Sequence, residues 1–458
     1  MAFPFAKLFR RTAEPPEQKR SFEAATGRRF GGVPFYGSHA SETAAAASTI
    51  RARARQQYAN DPQIRNAVEA IVAETVGAGI EANSAHPDPA AREAIDALWL
   101  DAYASMDADG RTDGRGLMAA MVRAEIVDGE SSAIIEERDG QAVLRQIPAE
   151  WVDESHTTPL SGGGYVQQGI EFSARGERVA YHIRPTRPND PFANAERVRV
   201  PAEEMLHLAR TLGPGQVRGV SALAPVLLKA NEYDQANDAL LVKLKVSAMH
   251  VSFITDVNGT AGGVYDGAGI GEEDLVPGAA IRLGMGEDVR TAFPEAARDA
   301  PALLKTMRHE IAAGLGVPTH LLDNDLSNAN YSSLRAGLLP FRAKVEQYIY
   351  HTLVPQVLDP IFRRVVTDAY LSGRLDVPDL APALKAEWLP PRPMQVDPQK
   401  DAQAVRELLE MGLTSRRQAV AALGWNVADL DAEIAADRER ERALGLNFTT
   451  TGDSDDET

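Results

Sequence analysis

The chain has 458 residues, 44% of them hydrophobic and 25% charged, and its 48 Lys and Arg against 65 Asp and Glu give a formal charge of −17. That length allows two or three core-bearing regions, and the composition is ordinary for a soluble globular protein. The absence of cysteine excludes a disulfide framework, thiolate zinc sites, iron–sulfur clusters and a cysteine nucleophile, while the acidity argues against a broad grip on nucleic acid, which relies on Lys and Arg to neutralise phosphates.

No apolar run reaches about 18 residues, so no membrane span is expected. The opening stretch MAFPFAKLFRRTAEPPEQKR sets a few apolar residues before its basic cluster, the reverse of a secretory signal. The expected location is therefore the cytoplasm or something assembled there. Residues 1–45 read as a poorly ordered arm with Pro15-Pro16, scattered basic residues and the turn-rich GGVPFYGS. A helix is predicted over SETAAAASTIRARARQQYANDP, with Ser41 or Thr43 as its cap and Pro62 just past its end. In the next, QIRNAVEAIVAETVGAG, residues Ile64, Val68, Ile71, Val72 and Val76 recur at helical spacing until Gly77 and Gly79. Two more helices are predicted at AAREAIDALWLDAYASM and GLMAAMVRAEIVDG.

After Gly129 the pattern alternates. SSAIIEERDGQAVLRQIP predicts a hairpin about Asp139-Gly140, and GYVQQGIEFSARGERVAYHIRP repeats the style with Gly176 in its turn. This β region, about 130–210, closes with VPAEEMLHLAR. From Ser221 a helix of roughly 25 residues, about 38 Å long, is predicted with Pro225 in its first turn. Leu223, Leu227, Leu240, Leu241 and Leu244 form one side of it, and Asn231, Asp234, Asn237 and Asp238 a polar middle. The Gly-dense stretch 251–300 reads as short strands and loops. A second helix, DAPALLKTMRHEIAAGLGVP, should stop at Gly316 and Pro318. The polar loop LLDNDLSNANYSS then leads into the longest helical segment, in which Pro340, Pro355 and Pro360 each remove a backbone donor and predict a kink or break. A Pro-rich connector (389–400), two or three short amphipathic helices and an acidic tail complete the chain.

Motifs of chemistry are missing. No Walker A loop occurs, and GPGQVRGVS (213–221) lacks the strand–turn–helix setting of a phosphate cradle. His309-Glu310 opens a zincin-like pair, but Ala313 stands where the second His should be. GxSxG is absent. DNDLSN (323–328) lacks the Gly and closing Glu of an EF-hand loop and reads as a helix cap. The nine histidines show no ligand spacing. No catalytic residue, metal site or cofactor is expected, and the chain does not read as an enzyme.

Several stretches, in order, resemble the lambda-type family of tailed-bacteriophage portal proteins. HLARTLGPGQVRGVSALAPVLLKANEYDQANDALLVKLKVSAMHVSFITD (207–256) is similar to the family's motif leading into a long helix. IAAGLGVPTHLLDNDLSNANYSSLRAGLLPF (311–341) looks like its "NYSS.R" signature, and YANDPQIRNAVEAIVAETVGAGI and IPAEWVD match earlier segments. The resemblance spans about 45–370.

It implies an α+β, mainly helical portal fold with wing, stem, clip and crown regions, assembled as a ring of twelve around a central channel. On that basis 1–45 is an N-terminal arm, 46–219 the wing and 220–248 the first stem helix. Residues 249–299 are the clip and 300–318 the second stem helix. The wing return and tunnel helix take 319–390, the crown 391–444 and the acidic tail 445–458. Implied partners are copies of the same chain, a terminase large subunit docked on the clip, then a head–tail adaptor, the major capsid protein and double-stranded DNA in the channel. No membrane partner is implied, and the implied place is the virion's capsid vertex. An acidic wall would suit DNA that must slide, since salt limits its repulsion to about 8 Å. Lys243, Lys245 and Arg308 are then sparse positive candidates for touching phosphate, with interface salt bridges or solvation as their plain roles. Asn328, Asn330 and Tyr331, with Ser332, match the signature; their plain role is capping the following helix, and their sharper one contact with DNA at a constriction. Other readings are a different ring-forming head–tail connector, or a hydrolase built from carboxylates that the sequence does not pair.

Overall fold

The computed structural model describes residues 38–185, 196–248, 252–254, 280–282, 300–327, 330–391, 398–423, 425 and 427–446. It is mostly helical with four small sheets. Helix α1 (His39–Asn60) starts before the expected caps: Ser38 is the residue whose Oγ accepts the Ser41 N–H at 3.2 Å. Asp61 both ends α1 and caps α2 (Pro62–Thr75), accepting the N–H groups of Gln63 and Ile64 at 2.8 and 3.1 Å. Pro62 is thus the first residue of a new helix, where its missing N–H costs nothing.

Strand β1 (Glu81–Ser84), α3 (Pro89–Ala104) and α4 (Gly114–Asp128) come next. The expected hairpin is β2 (Glu130–Arg138) and β3 (Gln141–Ile147), and its turn residues Asp139 and Gly140 both have positive φ, 54° and 76°. β4 (Thr158–Pro159), β5 (Tyr165–Gln167), β6 (Ile170–Phe172), β7 (Arg178–Ile183) and β8 (Val198–Pro201) form an antiparallel sheet in sequence order, and β9 (Met205–Ala209) returns to give the order β3-β2-β9.

Helix α5 (Leu227–Ala248) begins six residues later than Ser221. The intervening polar groups are spent on tertiary bonds: Ser221 Oγ and Ala222 N both donate to Ile126 O, at 3.1 and 2.9 Å. Of the Gly-dense region, β10 (Ser252–Ile254) and β11 (Ala280–Arg282) are described, paired in parallel; the rest lies outside the described residues. Helix α6 (Ala300–Leu315) stops at Gly316, φ 76°, as the sequence predicts. A short α7 (His320–Asp323) precedes α8 (Tyr331–Tyr348).

The three prolines do not break the long helical segment that α8 begins. α8 runs without interruption through a π-helical stretch, Ile349–Leu358, into α9 (Asp359–Leu371). Pro340 lies on the exposed side of α8, so the carbonyl it leaves unpartnered faces water. Pro355 sits within the wide π turns, whose winding moves its ring off the carbonyl it would strike in an α-helix, and Pro360 opens the first turn of α9. Then come α10 (Leu380–Ala383), β12 (Ala386–Leu389), α11 (Pro398–Glu410), α12 (Arg416–Ala421) and α13 (Val427–Leu444). β12 pairs antiparallel with β1, Glu81 facing Leu389 and Ser84 facing Ala386, which ties together two segments far apart in the chain.

The main core packs α2, α3, α4 and the α8–α9 rod around Trp99, whose ring lies 4.8, 5.4 and 5.8 Å from those of Tyr103, Phe362 and Trp388. A second, smaller core of Ile147, Val152, Ile170, Tyr181, Ile183, Val200 and neighbours lies under the five-stranded sheet. No helix among the described residues is long and apolar enough to cross a membrane.

Candidate functional site: a helical projection on a buried ionic joint

The motif GPGQVRGVS, which lacks the setting of a phosphate cradle, forms a joint between the two cores. Its centre is a pair of charges with no route to water. Glu130, at the start of β2, and Arg218 both have side chains at most 2% exposed. Arg218 Nε donates to the two Glu130 oxygens at 2.9 and 2.7 Å, and its Nη2 also donates to Glu130. Nη1 reaches Val152 O and Gln168 O, at 3.3 and 3.0 Å, and Nη2 reaches Ala149 O at 3.0 Å. Every donor nitrogen is therefore engaged, as a buried guanidinium requires. Burial works to raise the Glu130 carboxyl, but Arg218, aided by His207, outweighs it and holds the group well below the usual carboxylate range.

Three further groups close the joint. His207 Nε2 lies 3.0 Å from Glu130 Oε2, and Arg178 Nη1 lies 2.9 Å from His207 Nδ1. A guanidinium can only donate, so Nδ1 is the acceptor and the ring proton sits on Nε2, facing Glu130. Arg51 of α1 bridges Glu130 and Glu154, at 3.3 and 2.6 Å. The motif's other residues have their own tasks. Gln216 accepts from Leu212 N and donates to Arg218 O, both at 2.8 Å. Gly219 passes so close to Gly129 that a Cβ there would lie 1.9 Å from the Gly129 carbonyl oxygen.

The joint fixes the foot of α5. Leu223, Val226 and Ala230 are buried in the main core, and a Cβ on Gly314 of α6 would lie 2.4 Å from Val226, so the two helices touch at their base. Lys229 and Glu310 pair across them at 2.8 Å. Beyond that the antiparallel hairpin leaves the body, and Leu241, Val242, Leu244 and Leu303 are exposed, as is Leu228 at the foot. The expected leucine face is thus split: Leu223 is core, while Leu241 and Leu244 face outward.

Of the residues singled out from the sequence, Lys243 and Lys245 lie in the last turns of α5. Arg308 lies in the lower half of α6, where its Nη1 donates to Asp323 Oδ2 at 2.9 Å and braces α6 against α7. Along the hairpin these positions are about 20 Å apart at 1.5 Å per residue, so they do not form one patch. Asn330 is the cap of α8: its Oδ1 accepts Ser333 N at 2.9 Å, and Ser333 Oγ lies 3.0 Å from Asn330 N. Tyr331 begins α8, and Asn328 lies outside the described residues. Sequence reasoning missed Glu130, His207 and Arg218. The one available signal was the Arg of QVRGVS, a charged residue set between Val217 and Gly219. Among the described residues no group of three or more His, Asp or Glu could hold a metal.

A protein named as a probable portal protein of Halomonas phage phiHAP-1 is 25% identical over 336 residues, which is 68% of this chain and 64% of that protein's length. Among solved structures, a chain from the neck of a native gene transfer agent particle, determined with C12 symmetry, superposes with a TM-score of 0.44 at 15% identity, covering 86% of this chain and 96% of that one. A chain of the virion of a native gene transfer agent gives 0.44 at 15%, covering 81% and 92%. The profile of the lambda family of phage portal proteins matches residues 26–348, and the chain belongs to that family.

Proposed function

We propose that this chain is the subunit of a ring, twelve copies around, at one capsid vertex of a virion, through which double-stranded DNA is packaged and ejected. The observation that carries the reading is the α5–α6 hairpin: a projection held rigidly at its foot whose exposed leucines and valine an isolated chain would leave in water. Neighbouring copies around a closed ring would cover them. The hairpin then corresponds to the stem (220–248 and 300–318), the segment between its helices (249–299) to the clip, and residues 46–219 with 319–390 to the wing and tunnel. Helices α11–α13 correspond to the crown. The role is structural, with ATP hydrolysis supplied by a terminase large subunit docked on the clip and later replaced by a head–tail adaptor. Lys243, Lys245, Arg308, Asn328, Asn330 and Tyr331 remain the proposed points of contact with passing DNA, Arg308 and Asn330 in addition to their structural bonds.

The test is the mass and shape of the purified protein, by light scattering with negative-stain imaging. Rings of about a dozen subunits with a central hole are expected. A compact monomer at every salt and protein concentration would overturn the reading.

A further inference from the structure

The two long sides of the α5–α6 hairpin carry opposite charge. The Lys229–Glu310 bridge marks the side on which the helices face each other. With about 100° of rotation per residue, Asp234 and Asp238 lie about 140° and 180° around α5 from Lys229, on the edge turned away from α6. Lys305 and His309 lie about 140° and 100° around α6 from Glu310, on the edge turned away from α5. All four are exposed. The heights agree as well. Asp234 is five residues above Lys229, and Lys305, on the antiparallel helix, five above Glu310, so each stands about 7.5 Å above the bridge. Asp238 is one turn higher, within reach of the Lys305 side chain. Lys245 shares the acidic edge only near its far end, and Arg308, also on the basic side, is held by Asp323.

Resting on the ring reading above, we propose that copies of this chain join head to tail through these edges, Asp234 and Asp238 of one copy meeting Lys305 and His309 of the next. A heterologous contact repeated around an axis needs two different, complementary patches on each copy; Asp234 and Lys305 stand level, so a rotation alone brings them opposite, with Asp238 about 6 Å above that level and His309 about 6 Å below it. Exposed leucines and Val242 flank the charges, so the apolar surface supplies area while the charges fix which edge meets which.

The experiment uses two full-length variants. Asp234→Lys with Asp238→Lys makes both edges basic, and Lys305→Glu with His309→Glu makes both acidic. At low salt each alone is expected to lose assembly at least ten-fold, read as the protein concentration needed for rings in light scattering. An equimolar mixture should recover rings, because every contact in an alternating ring is again opposite in sign. Circular dichroism and melting of each variant, unchanged from wild type, show that folding is intact. Either variant assembling alone as wild type does, or a mixture of folded variants that stays unassembled, would overturn the edge pairing while leaving the ring reading in place. A wild type that never forms rings would instead remove the reading on which the pairing rests.

Discussion

His207 is held between opposite charges, and that arrangement sets a sign for its response to acid. Burial, and then the neighbouring Arg178 and Arg218, lower its affinity for a proton, and Glu130 only partly offsets this. Of the groups around it, Glu130 comes from β2, Arg178 and Tyr181 from β7, and Arg218 from the joint loop. Because the folded ring titrates below the unfolded value of about 6.5, the unfolded chain takes up the proton first as pH falls. Stability present above about pH 6.5 is therefore lost below it. Glu130, whose carboxyl is depressed, acts in a separate window: its contribution is present above about pH 4.5 and is lost below. His207→Gln keeps a donor toward Glu130 and an acceptor for Arg178 but does not titrate. The melting temperature of wild type should fall relative to that variant between pH 7 and 5, and parallel curves would refute the assignment. Arg218→Met removes one partner of a buried pair and leaves Glu130 charged and unsolvated, a loss of about 3–5 kcal/mol, to be read in urea denaturation.

At the scale of elements, the π-helical stretch places Gln356 against the edge of the three-stranded sheet. Its Oε1 accepts Ala209 N at 2.9 Å and its Nε2 donates to Ala209 O at 3.2 Å, so a side chain stands in for one more rung of strand. Ala209 is buried, and Gln356→Ala would leave its N–H and C=O without partners. The expected cost is about 1–3 kcal/mol, and a change within error of zero in urea denaturation would show that water replaces the amide. What could be read from the sequence divides in the same way between local and distant. The hairpin at Asp139-Gly140 and the stop at Gly316 were legible because one or two residues with positive φ decide them. The start of α5 was misplaced because Ser221 and Ala222 bond to Ile126, about 95 residues earlier. The β1–β12 pair was illegible for the same reason, since Ser84 and Ala386 face each other although they are far apart in sequence. The winding around Pro355 depends on packing that no local pattern encodes.

For the whole molecule, the ionic joint is where two cores of unequal size meet. Little in the sequence marked it beyond the Arg of QVRGVS, since Glu130 and Arg218 taken singly look like surface charges. The smaller core, under the five-stranded sheet, has few buried side chains of its own and is fastened to the larger one through Arg218, His207 and Arg51. It is therefore expected to open on its own before the molecule unfolds. Amide hydrogen exchange should be faster in β5, β6 and β7 than in β2 and α4, and Arg218→Met should speed it in that sheet first. Uniform exchange across both regions would mean that the cores open as one.

The distance in sequence between the two halves of the joint also imposes an order of events during synthesis. Arg218 comes 88 residues after Glu130. At about 5–20 residues per second, Glu130 emerges from the ribosome roughly 4–18 seconds before its partner does. During that interval its carboxylate has only Arg51 of α1 within reach and lacks the Arg218 guanidinium that engages both its oxygens, so the joint is not yet closed. The hairpin is encoded wholly after residue 218, so translation delivers the closing charge before the helices that will stand on it.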